Sequence, residues 1–283
     1  MAKVGVVTDT VACLPPEKVK EYGIGIVPIA LNINGKAYLD QVDMNPDEFW
    51  KIFKDIKEFT TGAPSLGEYT KVFNEVAKST NDIVCTFVSK ALSGIYETAV
   101  QAIAVVKKEN PKLNIEIIDS KTAAGAQAFA VLEMARAAQA GKSIDEVVKA
   151  GRDMLPKAKF FCGMETLKYL IKSGRAPKTA YMGEVFQVKP IIGMTNGSGV
   201  VENIARARGK PNCMAKMVEL IKDYTDTTRP LHIMAHYTDD IEDGKRLMEM
   251  VTAKYKCEEV YLTQYTPVMS GHTGPVFAVS FYS

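Results

Sequence analysis

The sequence has few cysteines, few histidines and no long apolar run. Its 283 residues include five cysteines and three histidines, and no two cysteines form a C-x-x-C pair. Scattered cysteines in an odd number do not make a disulfide framework, so we expect buried thiols in a reducing compartment. Every apolar run is shorter than the ~18 residues of a membrane-spanning helix, and Asp9 follows the amino terminus too closely for a signal peptide. The sequence therefore predicts a cytoplasmic globular protein without a transmembrane segment.

An excess of charge of one sign is also absent. The chain has 35 Lys and Arg against 33 Asp and Glu, a net charge of +2. A nucleic-acid-binding protein needs a concentrated basic face, so this balance argues against a nucleic-acid partner. With 47% hydrophobic and 24% charged residues, the composition excludes intrinsic disorder. A chain of this length also buries enough surface to need no structural metal.

The first half of the chain alternates short β-type runs with helical stretches. Strands are predicted at residues 4–7, 24–29, 82–88 and 114–118. Asn45, Ser65 and Ser143 are each followed three residues later by a glutamate, which is the capping-box pattern of a helix start. Repeated strand–loop–helix units are typical of a mostly parallel sheet covered by helices.

The pattern changes after Leu155 and Pro156, where strands have fewer helices between them. Strands are predicted here at residues 159–163, 185–192, 199–204, 231–235, 260–262 and 276–281. We therefore predict two α/β domains, residues 1–155 and 156–283. The first has a mostly parallel sheet and the second a mixed sheet.

Two motif-like segments do not carry the chemistry they suggest. Gly141-Lys142-Ser143 resembles the end of a P-loop, but the position that requires glycine is Arg136. His232 and His236 have the spacing of zinc ligands on a helix, yet LHIMAHY alternates like a strand. Four residues of strand span ~13 Å, too far for a shared zinc ion. We predict no metal site.

Small residues concentrate in three predicted loops, which lie at residues 60–65, 89–94 and 270–275. Thr61 offers a hydroxyl in the first loop. In the second, Ser93 offers another, and the Gly94 amide lies at the start of a helix, where backbone N–H groups have no intrahelical partner. Of the three histidines, only His272 lies in a predicted loop. Together these groups predict a small anion site of uncharged donors and one histidine. Ser93 is equally explained as an ordinary N-cap and Thr61 as a turn residue.

Eight short segments in order carry a more specific signal. They are TDTVACLP, VPIALNINGKAYLD, TTGAPS, LSGIYETA, IIDS, LKYLIKSGR, VKPII and GHTGP. Their order resembles the DegV family of bacterial fatty-acid-binding proteins and covers almost the whole chain. The sequence departs from the family pattern at Thr10, Cys13, Ile95 and Val276. The last two departures bear on the backbone after His272 and on the acyl chain that is preferred.

The resemblance implies two α/β domains with a long-chain fatty acid between them. Matched residue by residue, it places the carboxylate on Thr61, Ser93, the Gly94 amide and His272. It implies a protein that is not itself an enzyme, has no cofactor besides the bound fatty acid, and presents the carboxylate to a separate fatty acid kinase, which forms an acyl phosphate. Arg206 is the matched candidate for the surface that faces the kinase.

Other functions stay open from the residues alone. Ser93 as nucleophile with His272 as base would make a hydrolase or transferase, although no carboxylate is evident behind the histidine. His272 would serve a phosphoryl carrier, and an interaction protein would need no ligand. The apolar helix predicted at residues 126–138 is either a wall of the acyl cavity or a helix buried in the core.

Overall fold

Parallel pairing organises the first half of the chain in the computed structural model, which describes residues 4–176 and 187–283. Strand β1 (Val4–Asp9) lies between β2 (Gly25–Val27) and β6 (Asp82–Phe87), and β6 also pairs with β7 (Asn114–Asp119). All three pairings are parallel. The helices of this half are α1 (Pro16–Tyr22), α2 (Pro46–Ile52), α3 (Leu66–Ala77), α4 (Ile95–Glu109), α5 (Ala124–Gln139) and α6 (Ile144–Met154).

The predicted helix starts are confirmed. Asn45 and Ser143 each form a complete capping box with the glutamate three residues later, and the Ser65 side chain accepts the Glu68 N–H at the start of α3. These caps involve neighbours in sequence, so their signal is local.

A second, antiparallel sheet was not predicted. Its order is β4 (Lys36–Leu39), β3 (Ala30–Ile33) and β5 (Phe59–Gly62). Asn34 and Gly35 join β3 to β4 with positive φ angles of 52° and 82°. Asn-Gly is a strong signal for this tight hairpin turn. The region predicted as a loop at residues 60–65 therefore begins as a strand.

The second half of the chain forms a six-stranded mixed sheet, as predicted. Its order is β10 (Glu202–Arg208), β9 (Val188–Met194), β8 (Lys159–Met164), β13 (Val276–Tyr282), β11 (Leu231–Tyr237) and β12 (Cys257–Gln264). Only the pairing of β11 with β12 is parallel among these strands. The helices are α7 (Lys168–Lys172), α8 (Lys210–Leu220), α9 (Ile241–Lys254) and α10 (Pro267–Thr273). The α/β fold class is confirmed, and the boundary at residue 155 stays a prediction.

Several strand boundaries differ from the prediction; β12, for example, begins at Cys257 rather than at residue 260. Strand β10 begins at Glu202 rather than at residue 199, because Gly197 and Gly199 have φ angles of 74° and 82° and form a turn. Strand β9 is described from Val188, so residues 185 and 186 of its predicted range lie outside the described residues.

The two faces of the mixed sheet bury different sets of side chains. Phe161, Phe277 and Phe281 face α8 and α9 and form one apolar cluster. Phe160 and Cys162, which alternate with Phe161, join the larger cluster that also contains residues of the first half. Helix α5 is buried in this larger cluster, so it is a core helix.

All five cysteines are free thiols, and four of them are buried. Across residues 4–176 and 187–283, no helix combines the length and apolarity needed to cross a bilayer. The cytoplasmic location stays a prediction.

Candidate functional site

A largely apolar cavity of about 310 Å³ lies where the inner face of the mixed sheet meets the first half of the chain. Its polar groups include Thr61, Ser93, Gly94, Arg175 and His272, all of the head-group residues implied by the resemblance together with one arginine. The apolar lining consists mainly of Val11, Ile29, Val88, Leu92, Ile95, Ala123, Phe160, Cys162, Leu170, Ile192, Met194, Val201, Val268 and Met269.

Thr61 and His272 are in direct contact. Thr61 Oγ1 lies 3.0 Å from His272 Nε2, although the two residues are 211 positions apart in the chain. Thr61 belongs to β5, where it pairs with Leu31 of β3. His272 belongs to the last turn of α10, so the prediction of a loop there was wrong. The contact holds an end of the antiparallel sheet against a helix of the second half.

Gly271 explains how α10 approaches β5 so closely. A Cβ atom at Gly271 would lie 2.1 Å from Cζ of Phe59, so the ring occupies the place of a side chain. The Phe59 ring also packs edge-on against His272, with a centroid distance of 5.4 Å. The glycine therefore serves close packing beside His272 rather than a left-handed turn.

His272 is held in its neutral form. Burial, with a contribution from the nearby Arg175 charge, lowers the pKa of His272 to about 3. Its Nδ1 atom is buried and has no hydrogen-bond partner among the described residues. When the Thr61 hydroxyl donates to Nε2, the neutral ring carries its proton on Nδ1, which is a donor without a partner among the described residues.

Ser93 and Gly94 lie at the start of α4, but Ser93 is not its N-cap. Gly94 occupies that position with a φ of −75°, and no side chain caps the helix. The first amides of α4 therefore keep their capacity to donate. A side chain at Gly94 or at Gly62 would meet no protein atom within 4 Å, so packing within the described protein does not require either glycine.

Arg175 is the functional candidate that the sequence analysis missed. Its Nε donates to Leu92 O at 3.2 Å and its Nη1 donates to Ser173 O at 3.0 Å. Burial lowers the pKa of the guanidinium, yet arginine stays charged at neutral pH. Among the described residues that line the cavity, Arg175 alone has a charged side chain. The cavity therefore has one charged donor beside the uncharged ones that the sequence predicted.

The remaining site candidates lie elsewhere. Arg206 is exposed on the edge strand β10 and pairs with Pro190. It is five residues, about 17 Å along an extended strand, from Val201, and it lines none of the cavities described here. His236 is buried on β11, where Nε2 accepts the Gly125 N–H and Nδ1 contacts Thr263 Oγ1. No cluster of three metal-ligating side chains occurs within the described parts of the chain.

Comparison with known families decides the relationship that the motifs suggested. A family model described as an uncharacterised protein of the DegV family matches residues 3–283. The chain belongs to the DegV family. A DegV domain-containing protein from Clostridium perfringens is 33% identical over 252 residues, which cover 87% of this chain and 88% of the relative. The resemblance read from the short motifs is thus confirmed.

Solved DegV structures share the fold. A protein from Eubacterium ventriosum, described as binding stearic acid, is 26% identical, with a TM-score of 0.89 over 100% of this chain and 98% of the other. A DegV family protein from Thermus thermophilus, whose structure is described as showing fatty acid binding, is 23% identical, with a TM-score of 0.88 over 100% of both chains.

Two departures from the DegV pattern have a clear place in the structure. Ile95 is the first residue of α4 and lines the cavity, so the change adds apolar surface beside the polar end. Val276 is buried as the first residue of β13, and its N–H donates to Thr238 Oγ1 at 2.9 Å. Branched side chains are common in strands, so Val276 fits its position in β13.

Proposed function

We propose that this DegV protein binds a long-chain fatty acid in the cavity, with the carboxylate at the polar end. The observation that carries the proposal is that Thr61, Ser93, Gly94, Arg175 and His272 all line one otherwise apolar cavity. Thr61 contacts His272, and Arg175 donates to Leu92 O next to Ser93. No carboxylate side chain is among its described lining residues, so nothing there repels an acid. Fatty-acid binding by the Eubacterium ventriosum relative supports the same ligand class.

The apolar part of the cavity supplies most of the affinity. Burying about 12 methylenes at ~0.8 kcal/mol each contributes roughly 10 kcal/mol before association costs. A hydrogen bond to a charged carboxylate contributes about 1.5–3 kcal/mol after its exchange with water is counted. The chain therefore determines how tightly the acid binds, and the polar end determines its direction.

We further propose that the bound acid is presented to a separate fatty acid kinase. Gly62 and Gly94 are exposed and border the polar end, where their missing side chains leave room for a phosphoryl group to reach the carboxylate. His272 also forms part of the wall of a second pocket, which is lined by four lysines, Lys54, Lys57, Lys168 and Lys172. None of these lysines forms an ion pair with a described residue.

Such a basic pocket beside the carboxylate suits an acidic or phosphate-bearing partner. Unpaired ammonium groups raise the rate at which a partner of opposite charge associates. This pocket is therefore a docking candidate that lies nearer to the carboxylate than Arg206 does, and Arg206 stays a prediction.

The geometry favours binding over hydrolysis at Ser93. A Ser–His nucleophile needs a base that titrates near neutral pH and a group that orients its second nitrogen. The pKa of His272 lies near 3, Nε2 contacts Thr61, and Nδ1 has no described partner. We therefore propose a ligand-presenting protein that is not itself an enzyme and needs no cofactor.

Replacing both hydroxyls tests the head-group assignment. We expect Thr61→Ala combined with Ser93→Ala to weaken binding of a long-chain fatty acid by about tenfold or more, because the Ser93 donor is lost and His272 loses the Thr61 contact that fixes its ring. We also expect the kinase to phosphorylate the acid less efficiently, since the carboxylate loses its orientation. Titration of the delipidated protein and a phosphorylation assay measure the two effects.

Thr60→Ala is the matched control, because Thr60 precedes Thr61 on β5 and does not line the cavity. Unchanged affinity and unchanged phosphorylation in the double variant would contradict the assignment. Labelling of Ser93 by a fluorophosphonate probe would favour the hydrolase instead.

A further inference from the structure

Two paired strands form one long wall of the acyl cavity. In the antiparallel pairing of β8 with β9, Cys162 lies opposite Ile192 and Phe160 lies opposite Met194. All four side chains line the cavity, whereas Phe161 between them packs on the opposite face of the sheet. Side chains two apart on a strand share a face, so this wall extends along the strand direction.

His272 and Arg175 lie at one end of this wall. The last residue of β8, Met164, pairs with Val276, which follows α10 and His272 by a few residues. Helix α7 and Arg175 also follow β8 at this end, and the Tyr169 ring of α7 packs against Gly274. The Phe160–Met194 pair lies four residues further down β8, about 13 Å from that end.

Met194 separates the acyl cavity from a second cavity. That space has a volume of about 490 Å³ and is lined by apolar residues such as Leu155 and Ala158 and by charged ones such as Arg152 and Lys159. Among the described residues, Met194 alone lines both cavities. Its side chain is buried, and its pairing with Phe160 puts it at the end of the wall away from His272.

The volume of the acyl cavity limits how much chain fits in front of Met194. An apolar cavity of about 150 Å³ holds one benzene ring, so a cavity of about 310 Å³ holds roughly twice as many carbons, about 12. A longer acid needs space beyond Met194. Methionine is unbranched and flexible, so its side chain is able to move aside into the second cavity.

From this geometry we infer that Met194 is the end wall that sets the acyl chain length accepted by this protein. The inference rests on the proposed fatty-acid function and names the feature of the ligand that the site selects. Carbons in front of Met194 are buried in apolar surroundings. Carbons beyond it enter a cavity with charged walls or require Met194 to move, so they add little affinity.

A chain-length series of saturated fatty acids on the delipidated protein tests the inference. Affinity is expected to rise about fourfold per methylene until the chain end reaches Met194, and then to level off. In Met194→Ala the levelling-off moves to acids longer by about two carbons or more, because the side chain beyond Cβ is gone. In Met194→Phe, which fills more of the cavity, it moves to shorter acids.

Met269→Ala is the control for a general effect of enlarging the cavity. Met269 also lines the cavity but belongs to α10, beside His272. Its replacement is expected to lower affinity for all acids by a similar factor and to leave the levelling-off length unchanged.

The outcomes separate the two proposals. If no acid of any length binds the unaltered protein, the proposed function fails. If acids bind, but both Met194 variants level off at the same length as the unaltered protein, the Met194 assignment is overturned. It is also overturned if Met269→Ala shifts the length as far as Met194→Ala does.

Discussion

Arg175 offers a sharp test of how the site recognises an acid. Two of its donors are already occupied, since Nε binds Leu92 O and Nη1 binds Ser173 O. The remaining nitrogen, Nη2, has no hydrogen-bond partner among the described residues, and the side chain lines the polar end of the cavity. A bound carboxylate would therefore gain one charge-assisted hydrogen bond from a guanidinium that is already held in place.

The expected effect of Arg175→Gln follows from that single bond. A hydrogen bond between charged groups contributes about 1.5–3 kcal/mol, which corresponds to a loss of about 10- to 100-fold in affinity for a fatty acid. A fatty alcohol of the same chain length has no charge to pair with Arg175. Its affinity should change much less, so the preference for the acid over the alcohol should largely disappear.

Titration of both ligands against the delipidated variant measures this preference directly. The alcohol also reports on folding, because a distorted cavity would weaken both ligands together. Arg246→Gln is a matched control, since Arg246 is exposed on α9 and lines none of the described cavities. A variant at Arg175 that keeps the acid preference of the unaltered protein would refute the assignment of a charged head-group contact.

Two further predictions concern pH and the kinase. Burial raises the pKa of Asp40 from 3.8 to about 7, so between these pH values the folded state keeps a proton that the unfolded state has released. The stabilisation of the folded state by this proton is full below about pH 4 and falls by about 1.4 kcal/mol per pH unit until about pH 7. Asp40→Asn should remove that decline, and parallel unfolding curves for the two proteins between pH 5 and pH 7 would contradict it. Changing the four pocket lysines, Lys54, Lys57, Lys168 and Lys172, to Gln should slow phosphorylation by the kinase and reduce its salt dependence without changing fatty-acid affinity. The same change at exposed Lys51, Lys71, Lys107 and Lys108 is the control, and equal rates in the two variants would exclude docking at this pocket.

At α10 the structure differs from the prediction. The segment GHTGP was interpreted as a loop because of its glycines, yet His272 lies in a helix. Thr266 and Pro267 begin that helix, and proline at the first helical position is a known start signal. Gly271 lies inside the helix because the Phe59 ring occupies the space of its side chain. The start of α10 was therefore readable from the sequence, whereas the role of its glycine depended on a distant residue.

Arg175 shows a different limit. The segment LKYLIKSGR was part of the resemblance to the DegV family, but an arginine after a short helix is usually a solvated side chain. Its importance comes from the contact with Leu92 O, 83 positions earlier in the chain, which turns the guanidinium toward the cavity. No local pattern in the sequence reports that contact.

Elements with local causes could be predicted from the amino-acid sequence. A cap and its glutamate are three residues apart, and the alternation of a buried strand is visible within six, so helix starts, most strands and the α/β class were predictable. Its motifs also determined the family. Which groups meet depends on the tertiary fold: Thr61 contacts His272 across 211 positions, Arg175 reaches Leu92, and Met194 lines two cavities. Those contacts depend on how two sheets and their helices pack together, and packing is a property of the whole chain.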